Sequence, residues 1–134
     1  MKFPKISFGE EWDNLKKFNN LSDSERSIVF YAENQNSMFV FKSLIDELIN
    51  QGITICYVTS SKDDPNLNSN NKKIKTFCIG EGTIRTKFFL NLKASILIMT
   101  MPDLETFHIK RSKVHPVHYV YMFHAIASTH MVYR

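Results

Sequence analysis

The sequence is poor in the features that mark secreted and membrane-spanning proteins. It has only two cysteines among 134 residues, too few for the disulfide framework of a small secreted domain. No apolar run approaches the roughly eighteen residues needed to span a bilayer, and a charged segment stands where a signal peptide would begin. We therefore expect a cytoplasmic protein in which Cys56 and Cys78 are buried thiols, with a disulfide between them as the alternative.

The familiar nucleotide-binding signatures are also missing. The segment Gly80-Glu81-Gly82-Thr83 has two glycines, but it lacks the full dinucleotide fingerprint and the lysine of a phosphate-binding loop. A Gly-x-Gly turn that opens a helix at a strand end can still hold a phosphate or a sugar with its backbone N–H groups. Alone the signal is weak, because such a turn needs glycine for its own geometry. No cofactor is expected.

What is present describes an ordinary soluble globular domain with a mildly basic surface. Hydrophobic residues make up 43%, charged residues 22%, and the formal net charge is +4. A small excess of lysine explains that charge, although phosphate-bearing partners or a membrane surface are compatible with it. Nucleic-acid binding would depend only on this charge and on the basic segment Lys110–Lys113, so we do not expect it.

Residues 1–26 are predicted to form a helical preamble to the domain. Trp12, Leu15 and Phe18 recur at every third position over residues 9–19, with charged residues between them. This pattern predicts a short amphipathic helix. A membrane-surface helix is one interpretation, but the charges balance and the segment is short for an anchor. We favour a helix that lies across the domain.

Residues 27–134 alternate short apolar runs with helical stretches. Near-continuous apolar runs are typical of strands buried on both faces of a parallel sheet. The alternation predicts an α/β, Rossmann-like domain with about five parallel strands in the order 3-2-1-4-5 and helices on both faces. The predicted strands are Ser27–Ala32, Ile53–Thr59, Ile74–Ile79, Ala94–Met99 and Val117–Phe123.

Two helices are predicted between these strands, over Met38–Gln51 and Ile84–Leu92. Gly52 follows the first and is expected to adopt the left-handed conformation that ends many helices. The segment Ser60–Lys73 is rich in Asn, Asp, Ser and Lys. Its length and composition predict a disordered or mobile surface loop.

The last predicted strand leads to the histidine that the pattern favours as a site residue. The apolar run ends at His124, and the small residues Ala125, Ala127 and Ser128 follow. This predicts a strand, a sharp turn and a helix, with an imidazole at the carboxyl end of the strand, where open parallel sheets bind ligands. Such an imidazole can accept a proton from an attacking hydroxyl. A hydrogen-bonded core histidine is the alternative.

The other histidines do not predict a metal site. His115 and His118 have a two-ligand spacing but no cysteine or second matched pair. His124 and His130 are six residues apart, which places them on different faces of one helix rather than at the spacing that a metal-binding helix uses.

Three blocks of the sequence carry a resemblance to a known family. They are Thr76–Thr83, Met99–Leu104 and Tyr119–Arg134. With them, residues 25–134 resemble the amino-terminal part of the CDP-glycerol glycerophosphotransferases, the teichoic-acid-type polymerases. The resemblance implies a GT-B-like fold of two Rossmann-like domains, with the acceptor associated with the first and the CDP-activated donor bound by the second. The implied reaction transfers a polyol phosphate from its CDP carrier to an acceptor hydroxyl and releases CMP.

The resemblance also implies roles for particular residues. Phe123-His124-Ala125 lies at the position of the family's Trp-His-Gly motif, so His124 would be the general base, although both of its neighbours differ from the motif. The implied substrate-binding residues are Gly80, Glu81, Gly82, Thr83, Thr100, Met101, Ser128 and His130.

The implied partners are a polyol-phosphate or glycan polymer acceptor and a CDP-activated donor bound by a second domain that the 134 residues lack. We therefore expect this chain alone to be inactive, to self-associate through its exposed cleft face, and to work in cell-envelope biosynthesis at the inner face of the membrane. The alternative is a non-catalytic Rossmann-type module that binds a phosphorylated sugar or polymer. A reading frame that continues past Arg134 into a second α/β domain would favour the enzyme.

Overall fold

A parallel sheet of five strands forms the centre of the computed structural model, which describes residues 5–33, 35–100 and 111–122. Its strand order is β3-β2-β1-β4-β5, and the pairings are parallel. The predicted α/β, Rossmann-like fold and its strand order are therefore confirmed. The strands are β1 (Ile28–Ala32), β2 (Ile55–Thr59), β3 (Ile74–Cys78), β4 (Ile96–Met99) and β5 (His118–Tyr121).

Helices cover both faces of this sheet, as predicted. Helices α1 (Lys5–Asn19) and α3 (Thr83–Leu90) pack on one face, and α2 (Ser37–Asn50) packs on the other. Gly52, just after α2, has the expected left-handed backbone with a φ of +81°. Within the part of the chain that the structure describes, no helix is long and apolar enough to cross a membrane.

The central strands supply side chains alternately to two cores. In β1, Val29 and Tyr31 face α1 and α3, whereas Phe30 and Ala32 face α2. The same alternation places Tyr57 of β2 on the α2 face. Because both faces of β1 and β2 are buried, their sequences are continuously apolar, which is the pattern from which the parallel sheet was predicted.

The two cysteines are free thiols, so the alternative of a disulfide is not what the structure shows. Cys56 lies in the core of β2, and its Sγ donates a hydrogen bond to the carbonyl oxygen of Glu25 at 3.3 Å. Burial raises the pKa of this thiol to about 12. Cys78, the last residue of the edge strand β3, is only half-buried.

Helix α1 is longer than predicted and packs on the domain core. It begins at Lys5 rather than Gly9, and it buries Leu15 and Phe18. Trp12, expected on the same apolar side, is 39% exposed. The reason is geometric: three residues advance an α-helix by about 300°, so a strict repeat of three drifts around the helix by about 60° at each step.

The segment Ser60–Lys73, predicted to be a disordered or mobile surface loop, contains a short helix and a buried anchor. Pro65–Asn68 forms a 3-10 helix, and Asp64 in front of it is only 2% exposed. The Asp64 carboxylate accepts hydrogen bonds from the Tyr57 hydroxyl at 2.6 Å and from the backbone N–H of Asn66 at 2.9 Å. A buried carboxylate thus anchors a segment whose composition resembles that of a disordered loop.

Candidate functional site

All five strands are parallel, so their carboxyl ends lie at one edge of the sheet, here called the carboxyl edge. In the order of the sequence, β2 and β3 are added on one side of β1, and β4 then pairs with the other side of β1. The crevice at such a reversal is where open parallel sheets bind ligands. Glu33 follows β1 and Thr100 follows β4, so both flank this crevice.

The Gly80–Thr83 turn joins β3 to α3 at the carboxyl edge. Gly80 has a φ of +71°, a backbone conformation that favours glycine. A Cβ at this position would also lie 2.1 Å from Oε2 of Glu11, which reaches the turn from α1. Gly82 precedes the first residue of α3 and provides no side-chain cap, so backbone N–H groups of the first helical turn are not capped by it.

Arg85, the third residue of α3, reaches from this turn to the end of β1. Its Nη1 donates to the Tyr31 hydroxyl at 3.3 Å and to Ser60 Oγ at 3.4 Å, and its Nη2 donates to the carbonyl oxygen of Glu81 at 2.9 Å. Tyr31 and Ser60 are hydrogen-bonded to each other at 2.5 Å. We call Arg85, Tyr31 and Ser60 the Arg85 cluster. It joins three segments that are far apart in the sequence.

The two hydroxyl groups of the cluster lie in a largely dehydrated environment. Tyr31 is 1% exposed and Ser60 is 5% exposed. Burial raises the pKa of the Tyr31 hydroxyl, and the hydrogen bonds from Ser60 and Arg85 oppose that shift. Tyr31 therefore stays protonated at neutral pH and can donate or accept a hydrogen bond.

A separate cleft of about 400 Å³ lies between α1 and the outer side of β3. Its charged lining combines Glu10, Glu11 and Asp13 with Lys17 and Lys62, so it has no single dominant sign of charge. Burial raises the pKa of Glu11, and the nearby positive charge of Lys62 opposes this effect only in part.

The structure brings only some of the predicted site residues together. Gly80, Glu81, Gly82, Thr83 and Thr100 follow β3 and β4 at the carboxyl edge, and their role in binding a substrate stays a prediction. The remaining predicted residues lie outside the described part of the chain, so the position of the proposed catalytic imidazole stays a prediction. They are His124, Met101, Ser128 and His130.

Arg85 is not among the residues predicted for the site, although its position in the sequence carries a signal. A cation in the first turn of a helix opposes the helix dipole, which is positive at that end. An arginine three residues after the second glycine of a Gly-x-Gly turn is therefore unexpected unless something negative lies near it. Its contacts with Tyr31 and Ser60 could not be predicted, because no local pattern connects these positions.

Comparisons of this chain with protein-family models, curated proteins and solved structures found no match. The resemblance to CDP-glycerol glycerophosphotransferases therefore depends on the sequence blocks alone.

Proposed function

We propose that this chain is the acceptor-side domain of a CDP-glycerol-type glycerophosphotransferase. The observation that supports it best is a Rossmann-like sheet whose carboxyl edge carries the Gly80–Thr83 turn at the start of α3. Backbone N–H groups at a helix start interact favourably with a phosphate. The acceptor of such an enzyme is a polyol-phosphate or glycan polymer, which would supply that phosphate.

In the proposed reaction, an acceptor hydroxyl oxygen attacks the phosphorus atom that bears the polyol. The bond from this phosphorus to the CMP oxygen breaks, CMP leaves with that electron pair, and His124 takes the hydroxyl proton. Catalysis of phosphoryl transfer depends mainly on positioning and on electrostatic stabilisation of the phosphate. In such an enzyme a second domain binds the donor, and the domain described here would bind the acceptor.

The other proposed partners are a membrane surface and a second copy of the chain. Phe39 lies in the first turn of α2, which follows β1 in the chain, and its side chain is 85% exposed. An exposed aromatic ring near this edge supports the proposal that a cleft face is available for contact, although single exposed apolar residues are common on protein surfaces.

A non-catalytic module that binds a phosphorylated sugar or polymer is the second candidate. It is favoured by the Arg85 cluster, because all three side chains of this cluster come from a single domain. Both candidates place a phosphate of the bound polymer at the carboxyl edge, and they differ in whether a second phosphate, that of the CDP-activated donor, is transferred to this polymer.

A CMP-release assay tests the transferase. The complete protein encoded by the reading frame is mixed with CDP-glycerol and a glycerol-phosphate oligomer as primer. We expect primer-dependent CMP release that falls at least about 100-fold in His124→Ala, the range that a general base supplies. His118→Ala, an exposed residue at the first position of β5 and therefore at the opposite edge, is the matched control. Binding of the primer without CMP release would overturn the transferase and favour the module, and absence of both would overturn the two candidates.

A further inference from the structure

Arg85 carries a positive charge at the end of β1, where the negative charge of Glu33 also acts on the Tyr31 hydroxyl. Its three hydrogen bonds all end on neutral oxygen atoms, those of Tyr31, Ser60 and the Glu81 backbone. No carboxylate in residues 5–33, 35–100 or 111–122 forms an ion pair with it. The first turn of α3 adds further positive potential at the same place.

The Arg85 cluster also has more hydrogen-bond donors than acceptors. A guanidinium group has five N–H hydrogens, and the described contacts of Arg85 account for three of them. Its Nε is buried and has no partner among the described residues. Of the two hydroxyl hydrogens on Tyr31 and Ser60, one lies between the two oxygen atoms and the other has no acceptor within residues 5–33, 35–100 and 111–122.

A buried donor without an acceptor costs about 1–3 kcal/mol. A cluster in which such a donor belongs to a cation that has no ion pair among the described residues is therefore matched to a ligand with several negative oxygen atoms. Phosphate esters have this chemistry, and arginine binds them with two parallel hydrogen bonds more readily than lysine does.

We infer that Arg85, Tyr31 and Ser60 form a phosphate-binding site for a phosphate monoester or diester at the carboxyl edge. The identification of this phosphate as part of the acceptor rests on the proposed function. Recognition of a phosphate as such rests only on the charge and the donor surplus of the cluster.

Binding is measured by titration calorimetry of this chain with inorganic phosphate, glycerol 3-phosphate and a glycerol-phosphate oligomer at fixed ionic strength. In Arg85→Gln we expect the dissociation constant of the preferred probe to rise about 10- to 100-fold, the usual range for lost hydrogen bonds to charged groups. Lys87→Gln changes the same charge at an exposed position of the same helix and should change affinity less than twofold. Preference among the three probes separates free phosphate, a monoester and a diester.

Two further variants keep the test decisive if Arg85→Gln does not fold. Arg85→Lys retains the charge but loses the planar pair of donors, and Ser60→Ala removes one hydroxyl group. Each should weaken binding less than Arg85→Gln would and more than Lys87→Gln does. Failure of the wild-type chain to bind any probe at millimolar concentration, or equal effects of Arg85→Gln and Lys87→Gln, would overturn the site.

The site and the proposed function fail in different ways. Arg85-dependent phosphate binding by a protein that releases no CMP would leave the site standing and remove the transferase. Primer-dependent CMP release that Arg85→Gln leaves unchanged would support the transferase and remove the phosphate-binding site.

Discussion

Two buried tyrosines on neighbouring central strands have hydroxyl groups in opposite chemical surroundings. Tyr57 of β2 points to the α2 face, where its hydroxyl donates to the Asp64 carboxylate at 2.6 Å. Tyr31 of β1 points to the face covered by α1 and α3, where its hydroxyl meets Ser60 and the cation Arg85. Burial raises the pKa of both tyrosines.

The difference lies in the balance of donors and acceptors. In the group formed by Asp64, Tyr57 and Asn66, here called the Asp64 cluster, the carboxylate accepts from the tyrosine and from both the backbone and the side chain of Asn66. Fully satisfied buried networks make a structure rigid. In the Arg85 cluster, by contrast, Nε of Arg85 has no acceptor in the part of the chain that the structure describes. We therefore expect the first cluster to stabilise the fold and the second to bind a ligand.

The largest effect is expected from Asp64→Ala. This change removes a charge-assisted hydrogen bond to Tyr57 and the cap of the 3-10 helix. The free energy of unfolding should fall by about 3 kcal/mol, the sum expected for a lost hydrogen bond to a charged group and a lost cap. Urea denaturation measures it. The exposed neighbour Asp63→Ala is the control and should stay within about 0.5 kcal/mol of wild type. A similar loss in both variants would mean that Asp64 does not anchor the segment.

The single substitutions Tyr57→Phe and Tyr31→Phe compare the Asp64 cluster and the Arg85 cluster directly. Tyr57→Phe deprives the Asp64 carboxylate of a donor, so the free energy of unfolding should fall by about 1–2 kcal/mol while phosphate affinity is unchanged. Tyr31→Phe removes one donor of the Arg85 cluster together with an acceptor of Arg85 Nη1, so it should cost about 1 kcal/mol of stability and should weaken phosphate binding about 3- to 10-fold. Urea denaturation and calorimetry on the same samples give both quantities. The roles assigned to the two clusters are wrong if Tyr57→Phe weakens phosphate binding and Tyr31→Phe does not.

The sheet and its strand order could be predicted from the sequence, whereas the contacts of the two clusters could not. The apolar runs gave the parallel sheet and its order, because strands buried on both faces need apolar residues at every position. The Asp64 cluster was mistaken for part of a disordered loop, because its anchoring partner is Tyr57 on β2 and no local pattern shows that contact. Arg85 was missed for the same reason, since Tyr31 lies 54 positions away. His124 lies outside the described residues, so its role is still a prediction from the sequence.

The smallest effect is expected at Glu11, a carboxyl group that contrasts with Asp64. Glu11 lies against Gly80, at the turn that leads to Arg85, and burial raises its pKa while Lys62 opposes the shift. A carboxyl whose pKa is raised by folding favours the protonated form in the native state. Its stabilising contribution is therefore complete below the unfolded value of about 4.5 and is lost as the pH rises through the higher folded value.

It follows that Glu11→Gln should be more stable than wild type at pH 7, and that the difference should shrink toward pH 4. The gain should be less than about 1 kcal/mol, because water screens a partly exposed charge. Urea denaturation at pH 4, 5.5 and 7 measures it, with Glu10→Gln, an exposed neighbour on the same helix, as the control. A gain that does not depend on pH would show that packing at the Gly80 turn, rather than the buried charge, determines the effect. Glu11 and Asp64 would then differ in how their side chains pack and not in how well their negative charges are compensated.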